Sequence, residues 1–233
     1  MSLKTHHAST LVCALALLGG CAAQRGVLAE PVPGDTPVRA DTSASHCPGG
    51  TIRAPADAAR YSSCEVIVGD LTIQDTSLVS LSQLNGLRVV RGKLTIANNP
   101  RLATVWGLER LESVQSLSVT DNPRLRDLVG LDGLRAVNEL VLNHDGMFSV
   151  HGLEGLARVG RLEVTNNPRL ISLGALNSVV YADDVLIEDN PRLAAQPGLL
   201  RSLVKAEDPI VVKGNAGLSS RDVSNLRAKG AEP

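Results

Sequence analysis

The segment NHDGMFSVH at Asn143–His151 gathers His144, Asp145 and His151, side chains able to hold a transition metal. Their spacing fits no standard zinc pattern, and no fourth ligand stands near them in the chain. An Asp replacing Asn inside a repeat, with a longer turn and with Phe148 in the core slot, explains the segment better, so neither a metal nor another cofactor is expected. A second chemical feature is a set of arginines, Arg101, Arg124, Arg169 and Arg192, each directly after a proline. Stacked, they would form a docking stripe for an acidic polymer or partner. Read otherwise, they are solvated turn residues copied because the repeat is copied, and the repeat favours this second reading. Asp75, Asp121 and Asp189 lie at the matching turn and could neutralise part of the charge. The chain has no G-x-S-x-G elbow, no H-E-x-x-H, no phosphate loop and no catalytic cysteine pattern. Neither an enzyme nor a small-molecule substrate is expected.

Lys and Arg number 23 against 24 Asp and Glu, a net charge of −1 that gives no reason to expect nucleic acid. Aromatics are only 2% of residues: Trp106, Tyr61, Tyr181 and Phe148. Sugar faces favour aromatic platforms, so this poverty weakens a glycan-binding reading. Trp106, between Val105 and Gly107, is expected on the outer turn face.

The elements that would position these residues are repeats. LTIQDTSL begins at Leu71, LTIANNPRL at Leu94, LSVTDNPRL at Leu117 and LVLNHDGMF at Leu140; LEVTNNPRL begins at Leu162, VLIEDNPRL at Val185 and IVVKGNAGL at Ile210. The steps are 23, 23, 23, 22, 23 and 25 residues, the period of a solenoid. Leu94 and Ile96 alternate with Thr95 and Ala97, which predicts a short strand with one buried face. Asn98-Asn99-Pro100 then breaks the strand. Apolar residues follow every third position, Leu102, Val105, Leu108, Leu111 and Val114, a spacing that suits 3₁₀-like turns better than α-helix. At about 4.8 Å per rung, seven rungs predict a parallel sheet roughly 34 Å wide.

Asn99, Asn122, Asn167, Asn190 and Asn215 share one rung position. Buried amides at a bend can satisfy backbone groups that have lost their ladder partners, so these residues are expected to form a structural asparagine ladder. Pro100, Pro123, Pro168 and Pro191 follow four of them. The outward strand positions are Thr72, Gln74, Thr95, Ala97, Ser118, Thr120, Val141, Asn143, Glu163, Thr165, Leu186 and Glu188. They would lie side by side, either as a binding face or as a solvated sheet surface.

The start of the chain carries Lys4, an apolar run from Leu11 to Leu18, and LGGC at Leu18–Cys21. The run is too short to span a bilayer and reads as a secretory leader. Its end resembles the lipobox of bacterial lipoproteins. That resemblance implies removal of residues 1–20, lipid on Cys21 as a membrane anchor and, with Ala22 next, an outer-membrane destination. Residues 21–46, rich in Ala, Pro, Thr and Ser, read as the lipidated cysteine and a disordered tether. Cys47 and Cys64 would then meet an oxidising compartment, and a disulfide between them is expected.

The rungs look like leucine-rich repeats, and CEVIVGDLTI at Cys64–Ile73 is similar to the opening of the receptor L-domain. The resemblance covers about 47–216. It implies a right-handed β/α solenoid with a parallel β-sheet on one face and turns with short 3₁₀ or helical segments on the other. It also implies a disulfide-closed N-terminal cap over 47–70, repeats over 71–216, and a domain that binds partners rather than catalyses. The C-terminal cysteine cap common in that family is missing. Instead SSRDVSNLRAK at Ser219–Lys229 has the N-cap serine, early Asp and basic finish of a capping helix, so 217–233 are read as helix and tail. The combined expectation is a cell-envelope lipoprotein that displays a protein-interaction solenoid. Its alternatives are a structural envelope protein without a specific ligand and a cell-wall or glycan-binding module.

Overall fold

The computed structural model describes residues 44–194, 203, 205–206 and 210–228. The leader 1–20, Cys21, the linker up to residue 43 and the tail beyond Ala228 lie outside the described residues.

The alternating strand segments form one parallel sheet. Its strands are β1 (His46–Ile52), β2 (Val66–Gln74), β3 (Val89–Ala97), β4 (Ser113–Thr120), β5 (Ala136–Asn143), β6 (Arg158–Thr165), β7 (Tyr181–Glu188), β8 (Lys205–Ala206) and β9 (Val211–Lys213). They pair in chain order from β1 to β8, while β9 pairs with the end of β7. The register keeps equivalent repeat positions adjacent: Leu71 beside Leu94, then Leu117, Leu140, Leu162 and Val185. These leucines face inward with Ile73, Ile96, Val119, Leu142, Val164 and Ile187, and all are buried. This is a leucine-rich-repeat solenoid: no rung can bury its apolar side alone, and stacking closes one continuous core.

The return path of each rung is built from tight turns. Leu102, Leu108 and Leu111 donate backbone N–H groups to the carbonyls three residues earlier, at 3.2, 3.2 and 2.9 Å. Residues Ser82–Leu84 and Gly174–Ser178 are short 3₁₀ helices. A spacing of three therefore puts Leu102, Val105, Leu108 and Leu111 on one inner line, all buried. Gly107 shows how closely the rungs stack. Its φ is +112°, and a Cβ there would lie 1.9 Å from the Leu81 carbonyl oxygen. Any L-residue would be strained in conformation and would collide with the rung below.

The structure adds to one sequence expectation and corrects another. The stretch 47–70, read as a disulfide-closed cap, contains a full strand of the sheet. In β1, Gly50, Thr51 and Ile52 pair with Leu71, Thr72 and Ile73, and Ile52 is completely buried. Glycine stands where the other rungs carry leucine, which hid the repeat. Cys47, in β1, is joined by a disulfide to Cys64, just before β2, and the short helix α1 (Pro55–Ala59) lies between them. The correction concerns Phe148, which is 41% exposed and not in the core; Met147 fills that slot. Gly146 stands where other rungs have Pro-Arg, so the turn is one residue shorter rather than longer and the core position shifts back by one.

At the other end, helix α2 (Ser220–Ala228) covers the last rung through Leu226. The Ser219 hydroxyl oxygen accepts from the Asp222 N–H at 3.3 Å, and the Asp222 carboxylate accepts from the Ser219 N–H at 2.9 Å. This reciprocal cap satisfies donors the helix itself cannot.

Candidate functional site

The bend after each strand is set by a backbone conformation. Asp75, Asn98, Asp121, His144, Asn166 and Asp189 all have φ between 53° and 57°, and Gly214 has 66°. Asn, Asp and Gly are the residues that adopt this left-handed conformation most readily. The three aspartates thus stand where they do for backbone reasons. They do not neutralise the arginines: Asp75 pairs with Arg53 at 2.9 Å, Asp121 with His144 at 2.6 Å, and Asp189 lies beside Lys213.

The next residue in every rung points inward and forms a chain of amides. Asn99 donates its backbone N–H and Nδ2 to Asn122 Oδ1 at 3.2 and 3.1 Å. Asn122 does the same to Asp145 Oδ1, Asn167 to Asn190 Oδ1, and Asn190 to Asn215 Oδ1. Each Nδ2 also donates to a strand carbonyl of the preceding rung, those of Ile73, Ile96, Leu142, Val164 and Ile187. Thr76 heads the chain by donating both N–H and O–H to Asn99 Oδ1.

Asp145 departs from this pattern. It is 1% exposed, and its Oδ2, which replaces the donor nitrogen of an asparagine, accepts no hydrogen bond among the described residues. Burial pushes its carboxyl up to about 7, against the pull of two Asn122 donors; Asp121 raises it further and His144 lowers it. The other metal-capable side chains of this rung do not join it. His144 Nδ1 meets Asp121, and His151 Nδ1 meets Glu154 at 2.7 Å. Burial alone would raise the Glu154 carboxyl, but His151 and the Gly152 N–H outweigh it and hold it below its usual range. The described residues contain no cluster of three metal-capable side chains.

The outward sheet face is made of register columns. One runs Thr51, Thr72, Thr95, Ser118, Val141, Glu163, Leu186 and Val211. A second runs Gln74, Ala97, Thr120, Asn143, Thr165, Glu188 and Lys213. Most of these are half-buried, but Ser118 and Thr165 are only 7% and 6% exposed. Each is flanked across the strands, Ser118 by Thr95 and Val141, Thr165 by Asn143 and Glu188. They floor the face rather than offer a contact. A third column, Lys93, Ser116, Glu139, Arg161 and Asp184, was not singled out in the sequence; it becomes visible only with the strand register. Its charges are matched: Lys93 lies 3.5 Å from Glu139, and Arg161 lies 3.8 Å from Asp184 and 3.1 Å from Glu163. Lys213 closes the second column on Glu188 at 2.8 Å.

The four column arginines, Arg101, Arg124, Arg169 and Arg192, are all exposed on the turn side. Trp106 is also exposed there, at 60%.

Residues 63–146 match the family model of the receptor L domain. The match ends at Gly146, inside the shortened turn where the rung departs from its neighbours. No curated protein matches the chain. Among solved structures, the leucine-rich repeat domain of the type III effector XopL is similar, with 19% identity over 79% of this chain and 73% of that one and a TM-score of 0.39.

Proposed function

We propose that this chain is a cell-envelope lipoprotein, tethered through Cys21, whose solenoid captures a protein partner on the outward sheet face. The observation that carries the reading is the division of that face. Over β2 to β4 it presents Thr72, Thr95, Ala97 and Thr120, small uncharged side chains that lose little entropy when covered, while Lys93 in β3 is held by Glu139. Over β6 to β9 it presents charges already engaged with one another. A partner can cover the first half without stranding a charge and read the second by polar contact. The leucine-rich-repeat solenoid is compatible with such a module.

The test places a photo-crosslinking amino acid in the full chain at Thr95 or Thr120, with Val129, exposed in the turn path between β4 and β5, as the control. A discrete protein adduct from the two sheet positions alone is the expected result. Absence of any adduct, together with an envelope defect on deletion, would establish the spacer role instead. A Cys21→Ser arm separates anchor from module: lipid label and membrane retention should disappear. Unchanged labelling would remove the anchor from the proposal.

A further inference from the structure

We infer that the arginine column on the turn side is a docking strip for an extended acidic peptide segment carrying an apolar residue between two carboxylates. Among the described residues, the guanidiniums of Arg101, Arg124 and Arg192 have no acidic partner, and that of Arg169 rests only on the Phe148 ring, 6.0 Å from its centroid. Elsewhere the solenoid pairs its exposed cations repeatedly, as at Arg53, Arg88, Lys93 and Arg161. Exposed arginines elsewhere, such as Arg91, Arg110, Arg126 and Arg158, also lack an acidic partner among the described residues, so what distinguishes the column is its alignment on stacked rungs. Of the aspartates at the same turns, Asp75 pairs with Arg53 and Asp121 with His144.

The pattern along the column specifies the ligand. Asn99 and Asn122 stack through the ladder, which fixes Arg101 and Arg124 on adjacent rungs. Arg169 and Arg192 are fixed likewise by Asn167 and Asn190. Between the two pairs stands the irregular rung, where Gly146 removes the arginine and Phe148 turns outward. Phe148 and Ile171 lie on adjacent rungs, joined by the Ile171 N–H to the Phe148 carbonyl at 2.9 Å, and are 41% and 39% exposed. Arg126, Phe148 and Ile171 follow one another on successive rungs beside the column, so along the stack an apolar seat, with Arg126 at its edge, lies between the two cation pairs. The centres of the two pairs are three rungs apart, about 14 Å at ~4.8 Å per rung. In an extended chain, side chains four residues apart project from one face about 14 Å apart. A Glu-x-apolar-x-Glu segment running along the stacking direction would place one carboxylate between Arg101 and Arg124 and the other between Arg169 and Arg192. Its central side chain would meet Phe148. Arginine forks suit carboxylates through paired N–H donors. A flat anionic membrane fits less well, because its headgroups have no fixed spacing to match the three-rung separation of the two pairs.

This inference rests on the reading of the solenoid as an interaction module. Its test is fluorescence anisotropy with the full chain and labelled synthetic peptides in which Glu-Ser-Leu-Ser-Glu is set in Gly-Ser sequence. Binding should weaken about tenfold in R124E/R169E, the scale of lost charge-assisted contacts. It should weaken severalfold when the two glutamates are made adjacent at unchanged net charge. R91E/R158E, exposed arginines outside the column, should leave it unchanged, and circular dichroism should be native in both variants. Equal binding of the adjacent-glutamate peptide, or no effect of R124E/R169E, overturns the inference. So does R124E/R169E-sensitive binding of a sulfated polysaccharide or phosphatidylglycerol vesicles without binding of the peptide. If the peptide fails while sheet-face adducts form, only the arginine column falls; if both fail, the module reading falls with it.

Discussion

Asp145 sits where the asparagine ladder needs an amide. Its Oδ1 does the work of an asparagine oxygen, but Oδ2 stands in the place of a donor nitrogen and finds none to accept from. A carboxyl held near 7 against an ordinary 3.8 binds its proton more tightly folded than unfolded. Below pH 3.8 both states are protonated and there is no penalty. Between 3.8 and 7 the unfolded state loses its proton first, so stability falls as pH rises; above 7 the penalty is complete, roughly 4 kcal/mol by linkage. Asp145→Asn should supply the missing donor and remove this slope. Denaturant titrations of both proteins should diverge progressively from pH 4 to pH 8, with the variant the more stable. Parallel curves across that range would show that Asp145 is not the titrating group. In the sequence the Asn-to-Asp exchange was legible, but its cost was not, because the cost depends on which oxygen lacks a partner.

At the scale of elements, β1 is held to the sheet from one side only among the described residues, where it pairs with β2 and no other strand. The Cys47–Cys64 disulfide ties this edge to the first full rung across a separation of 17 residues. The chain-entropy model gives such a closure about 3 kcal/mol. Cys47→Ala with Cys64→Ala should lower the denaturation free energy by that order. The loss should be read first in β1, where amide exchange from His46 to Ile52 accelerates while β3 to β6 remain protected. Uniform acceleration through all strands would mean that the edge does not open separately. The strands from Leu71 onward were legible because Leu and Ile recur at fixed distance. β1 was not, because Gly50 occupies a core-facing leucine position, where the Tyr61 side chain fills the space a leucine would take. Phe148 was misplaced for a related reason: a one-residue deletion in the turn moves the inward position to Met147, and periodicity alone cannot say which side of the deletion keeps the register. The left-handed column from Asp75 to Asp189 was present in the sequence as a run of Asp, Asn and His. It looked like charge because its backbone role appears only in φ.

The whole array is a one-dimensional stack, so its cooperativity is limited by its weakest rung interface. That interface follows Asp145. Regular ladder residues give the next rung two donors, a backbone N–H and Nδ2, as Asn122 gives Asp145 and Asn167 gives Asn190. Asp145 gives Asn167 only its N–H, at 2.9 Å. The rung is also a residue short on the turn side. Ionisation of Asp145 loads this same interface, so pH should decide whether the solenoid opens as one unit or two. At pH 6 and below, the strands β2 to β7 should exchange their amides with a common opening free energy. At pH 8.5 the protection should divide, with β2 to β5 on one side and β6 to β7 on the other, and Asp145→Asn should restore the common value. Division at the same place in Asp145→Asn would assign the weakness to the shortened turn rather than to the carboxylate. The apolar seat at Phe148 and the gap in the arginine column sit on this same rung. A partner engaging Arg101 and Arg124 on one side and Arg169 and Arg192 on the other would bridge the weak interface. The bound peptide should therefore raise the protection of the two halves together, and more at pH 8.5 than at pH 6.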